Sequence, residues 1–222
     1  MSGRDANRGE CAQSCRWKYR VLEEAERGGE YFPIEEDERG SYIFNSKDLC
    51  ALPLLPELVS SGVDSFKIEG RMKSIHYAGI TVDVYRRGLD ILKDKGEPAF
   101  REAVPELVDE LGRVSNRGFT SNFLKGKPGR DDYSFEECKV SNPYAFLGEV
   151  VEKNHDYVAL QLKNPLRPGD TIELCDRGFL REKIHVDQVI DGMGSLLDFG
   201  RSGEIVRLNG NFRTGVGGLA RK

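Results

Sequence analysis

Three cysteines have the residue type and spacing to hold a metal ion or an iron-sulfur cluster. Three residues separate Cys11 from Cys15, and Cys50 follows after 34 intervening residues. Two thiolates at this spacing can face one ion, and the neighbouring Arg8 and Arg16 favour the thiolate over the thiol. Structural zinc and cubane clusters usually take four cysteines. From spacing alone, buried free cysteines are therefore the favoured interpretation.

Charged residues follow two predicted strands. Lys47 and Asp48 come directly after the first strand, and Lys67, Glu69 and Arg71 lie on or just beyond the second. In α/β barrels the loops at the carboxyl ends of the strands build the active site. Lysine and arginine at this place would suit a carboxylate substrate. The alternative is a solvated loop of mixed charge.

A basic run between residues 113 and 130 could meet phosphate groups. It contains no acidic residue, and Phe119 and Phe123 lie within it. Its five basic residues are Arg113, Arg117, Lys125, Lys127 and Arg130. A solvated linker with two buried phenylalanines is the alternative interpretation.

The composition excludes several classes of protein. With 222 residues, of which 38% are hydrophobic, the chain can bury a core, and its net charge of -4 argues against a protein that coats nucleic acid. No apolar run reaches the roughly 20 residues of a membrane helix, and we expect a soluble, cytoplasmic protein. The three histidines are isolated, and neither a zinc-peptidase motif nor a serine-hydrolase elbow is present.

The elements that position the charged residues have an α/β pattern. The sequence predicts strands at Tyr42–Phe44 and Ser65–Ile68, with a short helix at 52–61 between them. A long helix then begins at the N-cap Ser74 and stops at Gly96, because its apolar residues recur at spacings of three and four. Strands that alternate with helices indicate a parallel sheet.

From residue 142 onward, short alternating strands predict a small antiparallel β-barrel. Turn residues such as Asp191 and Gly192 separate the strands. The predicted strands are 146–151, 157–162, 171–175, 180–190, 195–198 and 204–208. We therefore expect an α/β domain at 1–112, a basic linker at 113–141 and a β-barrel domain at 142–222.

Three motifs resemble those of peptidase family U32, and they agree with it in order and spacing. They are Asn7–Tyr19, Phe44–Cys50 and Asp64–Ser74, and the resemblance continues through Asn116–Thr120. The resemblance covers nearly the whole chain and is greatest to the branch of the family that hydroxylates tRNA.

The resemblance implies the C-terminal part of a TIM-barrel-like α/β domain, followed by the small β-barrel. It also implies a 4Fe-4S cluster, for which Cys11, Cys15 and Cys50 match three ligands. The fourth ligand would lie upstream of Met1. We therefore expect a C-terminal fragment whose N-terminal half is missing or is a partner subunit.

The activity implied by the resemblance is hydroxylation of the wobble uridine of tRNA to 5-hydroxyuridine, with prephenate as the source of the hydroxyl group. Lys47, Lys67 and Arg71 would bind its carboxylates or a phosphate. Asp48 and Glu69 would orient the substrate or transfer protons.

The basic run would contact RNA, with arginine and lysine on phosphates and the phenylalanines stacked on unpaired bases. The alternatives are a peptidase, a hydroxylase of ribosomal RNA or of a quinone precursor, and a non-catalytic RNA-binding module.

Overall fold

The structure is a computed structural model that describes residues 47–70, 73–126, 132 and 141–222, together with the backbone of four short strands before residue 43. The chain divides into two compact units. The first comprises Met1–Ala51 and Asn116–Ser141, and the second comprises Leu52–Ser115 and Asn142–Lys222. The second unit thus combines the central helices with the C-terminal strands, whereas the sequence analysis assigns them to different domains. The predicted domain bounds stay a prediction.

In the described part of the first unit, the strands form three short pairs. The strands β1 (Leu22–Glu23) and β2 (Tyr31–Phe32) are antiparallel, as are β3 (Glu35–Asp37) and β4 (Gly40–Tyr42). The strand β5 (Asp48–Leu49) is parallel to β6 (Phe119–Thr120). A 3-10 turn, Asn122–Lys125, follows β6.

The helices of the second unit begin with a 3-10 turn, Leu52–Leu54, that leads into α1 (Leu55–Ser60), as the sequence predicts. The long helix α2 spans Ile75–Gly112. Its N-cap is Ser74, whose hydroxyl oxygen accepts a hydrogen bond from the backbone N–H of Tyr77 at 3.3 Å. The predicted start is therefore confirmed.

The first segment of the long helix ends at Gly96, as the sequence predicts, but the helix does not stop there. Gly96 has φ 80° and ψ 176°, so its backbone is not helical, and a second helical segment continues to Gly112. Pro98 suits the first turn of this second segment, where a backbone N–H is not needed.

One predicted strand is wrong. Residues 65–68 have no regular secondary structure. Of the other predicted strand, Tyr42 belongs to β4, and the two residues after it lie outside the described residues.

The C-terminal strands form one curled antiparallel sheet, a half-barrel, which confirms the predicted antiparallel architecture. Eight strands pair in the order β10-β9-β14-β7-β8-β13-β11-β12. Their bounds are β7 Phe146–Lys153, β8 Tyr157–Leu162, β9 Thr171–Asp176, β10 Leu180–His185, β11 Val189–Ile190, β12 Leu196–Leu197, β13 Ile205–Asn209 and β14 Leu219–Arg221.

The prediction differs from this sheet at two places. The predicted strand 180–190 is two strands, β10 and β11, and β14 is absent from the prediction.

The two faces of the sheet bury different kinds of residue. One face carries the hydrophobic core, in which Leu160, Ile172 and Leu174 are fully buried. Because side chains alternate along a strand, Glu173 and Cys175 lie on the opposite face. The helix α2 packs on that face, where Gly79 lies so close to Leu219 that a Cβ would approach its Cδ1 to 2.6 Å.

Among the described residues, no helix is long and apolar enough to span a membrane.

Candidate functional site

The structure brings together two of the motifs that the sequence analysis singles out. Asp48 pairs with Phe119 in register, and Leu49 pairs with Thr120, so the motif around Asp48 lies beside the motif around Phe119. The backbone N–H of Cys50 extends the pairing by donating to the carbonyl of Thr120 at 2.8 Å.

Asp48 is held by Arg117. The Nε and Nη2 atoms of Arg117 donate to Oδ1 of Asp48 at 3.0 and 2.8 Å, and the backbone N–H of Arg117 donates to Oδ2 at 3.3 Å. The side chain of Asp48 is 14% exposed and that of Arg117 is 42% exposed. The guanidinium therefore fixes the direction of a largely buried carboxylate.

Lys47 lies against the turn that follows Arg117. Gly118 has φ 79°, and a Cβ at this position would lie 3.7 Å from the side chain of Lys47. The backbone N–H of Gly118 donates to the side-chain oxygen of Asn116, a buried residue, at 3.0 Å. Glycine at 118 thus permits the left-handed turn that carries Arg117 to Asp48.

Cys50 directly follows this strand and is buried, with 7% of its surface exposed. The other two predicted ligands, Cys11 and Cys15, lie outside the described residues. In the described part of the chain, no three His, Cys, Asp or Glu side chains lie close enough to hold a metal ion. The predicted ligand set stays a prediction.

The second predicted charged group lies on the surface of the other unit. Nζ of Lys67 is 3.7 Å from Oε2 of Glu69, and the two side chains are 87% and 69% exposed. Arg71 lies outside the described residues. The sequence analysis places Lys67 and Glu69 at the end of a strand over residues 65–68, and this strand is absent. Their predicted roles in binding and proton transfer stay predictions.

The residues of the basic run have different environments. Arg113 caps the end of α2 in the second unit, where Nη2 is 2.9 Å from Oδ2 of Asp109. In the first unit, Phe119 is half-buried in β6, whereas Phe123 is 73% exposed beside Lys125. Lys127 and Arg130 lie outside the described residues.

The exposed ring of Phe123 could stack on a base. The alternative interpretation of the basic run predicts that both of its phenylalanines are buried. For Phe123 this is wrong, because its ring lies at the surface.

A charge network between α2 and the sheet is a feature that sequence reasoning missed. Nε of Arg181 donates to Oε1 of Glu110 at 2.6 Å, and its Nη2 donates to Oδ2 of Asp83 at 3.0 Å. Nη2 of Arg221 donates to Oε2 of Glu110 at 2.9 Å and also to Glu173. Arg221 is fully buried, and Glu110 is 3% exposed.

The network holds its carboxylate in the ionised form. Burial alone would raise the pKa of Glu110, but the hydrogen bond from Arg221 and the charge of Arg181 keep the pKa below its ordinary value. The partners lie 71 and 111 positions from Glu110 in the chain, so no local pattern in the sequence predicts the network.

Two neutral groups lie next to these charges. His76 is buried, and its ring stacks on Phe146 with the centroids 5.5 Å apart. Burial, together with the positive charge of Arg221, lowers the pKa of His76 to about 4. Burial likewise raises the pKa of the Cys175 thiol to about 12.

The comparisons with known proteins cover most of the chain. The sequence model of peptidase family U32 matches residues 1–134. The tRNA hydroxylation protein P1 of Bacillus subtilis is 33% identical over 203 residues, which are 90% of this chain and 47% of that protein. The tRNA hydroxylation protein P of Escherichia coli is 34% identical over 215 residues, covering 78% of this chain and 46% of that protein.

Another relative is named for a different RNA. The 23S rRNA 5-hydroxycytidine C2501 synthase of Escherichia coli is 30% identical over 179 residues, covering 78% of this chain and 26% of that protein. The chain thus spans about half the length of the two tRNA hydroxylation proteins and about a quarter of the length of the rRNA synthase.

A solved structure is similar to part of the chain. It is the C-terminal domain of a U32 peptidase from Geobacillus thermoleovorans, with 23% identity and a TM-score of 0.34. The match covers 35% of this chain and 99% of that domain.

Proposed function

The chain belongs to peptidase family U32, and from its relatives and its geometry we propose that it is part of an enzyme that hydroxylates RNA. The observation that carries the proposal is the set of relatives: two are named for tRNA hydroxylation and a third for making hydroxycytidine in ribosomal RNA. Hydroxylation of RNA is the activity that these names share.

We propose that the base is the wobble uridine of tRNA and that prephenate supplies the hydroxyl group of 5-hydroxyuridine. The greater coverage of this chain by the tRNA hydroxylation protein of Bacillus subtilis favours tRNA over ribosomal RNA. Prephenate carries two carboxylates, for which Lys47, Lys67 and Arg71 offer positive charges.

The Asp48 carboxylate supports a role in proton transfer or orientation. It lies at the junction of two family motifs, it is largely buried, and Arg117 fixes its direction. Glu69 is the second candidate for this role, and its exposed position makes it the weaker one.

Cys50 suits the cluster that the family resemblance implies. Its side chain is buried, and the hydrogen bond from its backbone N–H to the carbonyl of Thr120 fixes its backbone. We propose that Cys11, Cys15 and Cys50 supply three thiolate ligands of a 4Fe-4S cluster, with a fourth from outside this chain. When bound, such a cluster would supply either electron transfer or structural support.

The first half of the enzyme would complete the fold. The parallel pair β5 and β6 and the capped helix α2 suit the final part of a TIM-barrel-like domain. The relatives are about twice as long as this chain, which leaves room for the remaining strands and helices.

Mass spectrometry of tRNA nucleosides tests the proposed function. Cells that lack the full-length gene should lose 5-hydroxyuridine and its derivatives, and the wild-type gene should restore them. Genes with Asp48→Ala or Cys50→Ser should fail to restore them, whereas Lys93→Ala, an exposed helix position, should succeed. Unchanged tRNA after deletion would overturn the proposal and direct the search to ribosomal RNA, quinone precursors and peptides.

A second measurement tests whether the three cysteines bind the cluster. Iron and sulfide should be bound by anaerobically purified full-length protein and lost when Cys11, Cys15 and Cys50 are all replaced by serine. An equal content of iron and sulfide in the triple variant would show that the three cysteines are not ligands.

A further inference from the structure

A cleft of about 230 Å³ lies between the end of α2 and the outer face of the sheet. We define it as the basic cleft by six of its lining residues: Arg113, Tyr144, Glu173, Lys183, Arg221 and Lys222. All six belong to the second unit of the chain. Lys183 and Lys222 are exposed at its rim, whereas Arg221 forms part of its buried wall.

Four cations line the basic cleft. They are Arg113, Lys183, Arg221 and Lys222, and among the described residues of the lining Glu173 is the one carboxylate. Carboxylates outside the lining pair with three of these cations: Glu110 with Arg113 and Arg221, Asp109 with Arg113 at 2.9 Å, and Asp170 with Lys222 at 2.7 Å. These pairs fix the directions of the three cations and offset their charge, so Lys183 contributes the positive charge that no ion pair among the described residues offsets.

Both arginines of the cleft contact the ring of Tyr144. The guanidinium carbon of Arg221 is 4.9 Å from the centroid of the Tyr144 ring, and that of Arg113 is 5.7 Å from it. Cation–π contacts of this length hold both guanidinium groups in place. The donors of the cleft are therefore ordered before a ligand arrives.

Arg221 has unused hydrogen-bond donors. Its Nε and Nη2 atoms donate to Glu110 and Glu173, whereas its buried Nη1 has no partner among the described residues. A guanidinium has five N–H donors, and buried donors of this kind are usually satisfied. Because Nη1 is fully buried, Arg221 offers a ligand in the cleft its positive charge and not an accessible donor.

Lys183 is the cation most available to a ligand. It is exposed, and within the described part of the chain it makes no ion pair, unlike Arg113, Arg221 and Lys222. It lies opposite Glu173 in the pairing of β9 with β10.

The size of the cleft limits what it can hold. Pockets for whole cofactors and drug-sized ligands have volumes of roughly 300 to 1,000 Å³, so this cleft suits one compact anionic group. Arginine and lysine together are the usual ligands of phosphate. We propose that the basic cleft binds a backbone phosphate of the RNA substrate, an inference that rests on the proposed function.

The test measures the affinity of the full-length protein for a fluorescein-labelled tRNA transcript by anisotropy over a range of salt concentrations. Lys183→Ala should weaken binding about two- to five-fold, as expected for one exposed ion pair. It should also lower the slope of log K against log salt by about one unit, because one fewer counterion is released. Lys183→Arg should keep the wild-type slope.

Lys93→Ala is the matched control, since it removes one exposed lysine from the same unit outside the cleft and should change neither affinity nor slope. If the wild type binds the transcript and Lys183→Ala binds it with the same slope, the cleft is not an RNA site and the proposed function still stands. If the wild type does not bind the transcript at all, the proposed function fails and this proposal fails with it.

Inorganic phosphate distinguishes RNA from a small anion. If Lys183→Ala weakens the binding of inorganic phosphate in calorimetry but leaves tRNA binding unchanged, the cleft is a small-anion site and the proposal is overturned.

Discussion

Arg117 makes two side-chain hydrogen bonds to the same oxygen of Asp48, although 69 positions separate the two residues in the sequence. The distances from Nε and Nη2 are 3.0 and 2.8 Å. This pair connects the short parallel strands β5 and β6, which contribute only two residues each. Arg117 therefore acts on Asp48 as a positioning residue, whichever role the carboxylate has in the reaction.

Arg117→Ala should destabilise the protein by about 1 kcal/mol and lower the formation of 5-hydroxyuridine, because Asp48 loses its fixed direction. The affinity for tRNA and its salt dependence should stay unchanged. Urea denaturation, nucleoside analysis and anisotropy measure the three effects. Arg86→Ala, which removes an exposed ion pair with Asp90, is the control. A lower salt slope with unchanged stability would instead place Arg117 on an RNA phosphate.

Arg221→Ala should destabilise the second unit by about 3 to 5 kcal/mol, because the substitution leaves Glu110 and Glu173 without their buried partner. Arg201→Ala, an exposed position after β12, should cost less than about 0.5 kcal/mol. Urea denaturation followed by circular dichroism measures both changes. Equal stability of the two variants would contradict the role assigned to the network.

A double-mutant cycle between Arg221 and Glu110 tests whether the two residues act together. With Arg221→Met and Glu110→Gln, the coupling free energy should lie between about 0.5 and 3 kcal/mol, as is usual for residues in contact. Additive effects would mean that each residue stabilises the protein through other neighbours.

The stability of the second unit should fall as the pH is lowered from about 6.5 to about 4. The pKa of His76 is lowered from 6.5 to about 4 in the folded protein, by burial first and by Arg221 next. The unfolded chain therefore binds more protons over this interval, so stability increases with pH up to about 6.5 and is lost below it. The part due to His76 is about 3 kcal/mol.

His76→Phe should flatten the pH dependence between 4 and 6.5 while it keeps the stacking on Phe146. His155→Gln is the control, since the side chain of His155 is 85% exposed. Urea midpoints at several pH values are the measurement. An unaltered pH profile for His76→Phe would exclude His76 as the source of the acid sensitivity.

Cys175 should resist alkylation while the protein is folded. Burial raises the pKa of its thiol to about 12, and the thiolate is the reactive form, so iodoacetamide at pH 8 should modify it only after denaturation. Mass spectrometry of the peptide that contains Cys175 gives the extent of the reaction. Rapid modification of the native protein would mean that this part of the sheet opens readily.

The helices and most strands could be predicted from local pattern. The capping hydroxyl of Ser74 and the apolar spacing after it locate the start of α2, and the alternating residues of β8 and β9 locate those strands. The second segment of α2 is harder to predict, because Pro98 and Pro105 argue against a helix.

The strand β14 was missed for a physical reason. It is three residues long, and it contains an arginine, a residue type that is rarely buried. Only the distant partners Glu110 and Glu173 make its burial possible. The junction of Asp48 with Arg117 depends in the same way on pairing between distant segments, whereas the family motifs did mark both residues.

The position of β14 in the sheet has a consequence for the order of folding. It pairs with β7 on one side and with β9 on the other, so it joins the pair β9 and β10 to the five strands that begin with β7. During synthesis at the ribosome, the two groups of strands emerge before the strand that connects them. The buried ion pair of Glu110 with Arg221 also cannot form until Arg221 has left the ribosome, 111 residues after Glu110. We therefore expect the second unit to assemble only after translation has passed Arg221, in one late cooperative step.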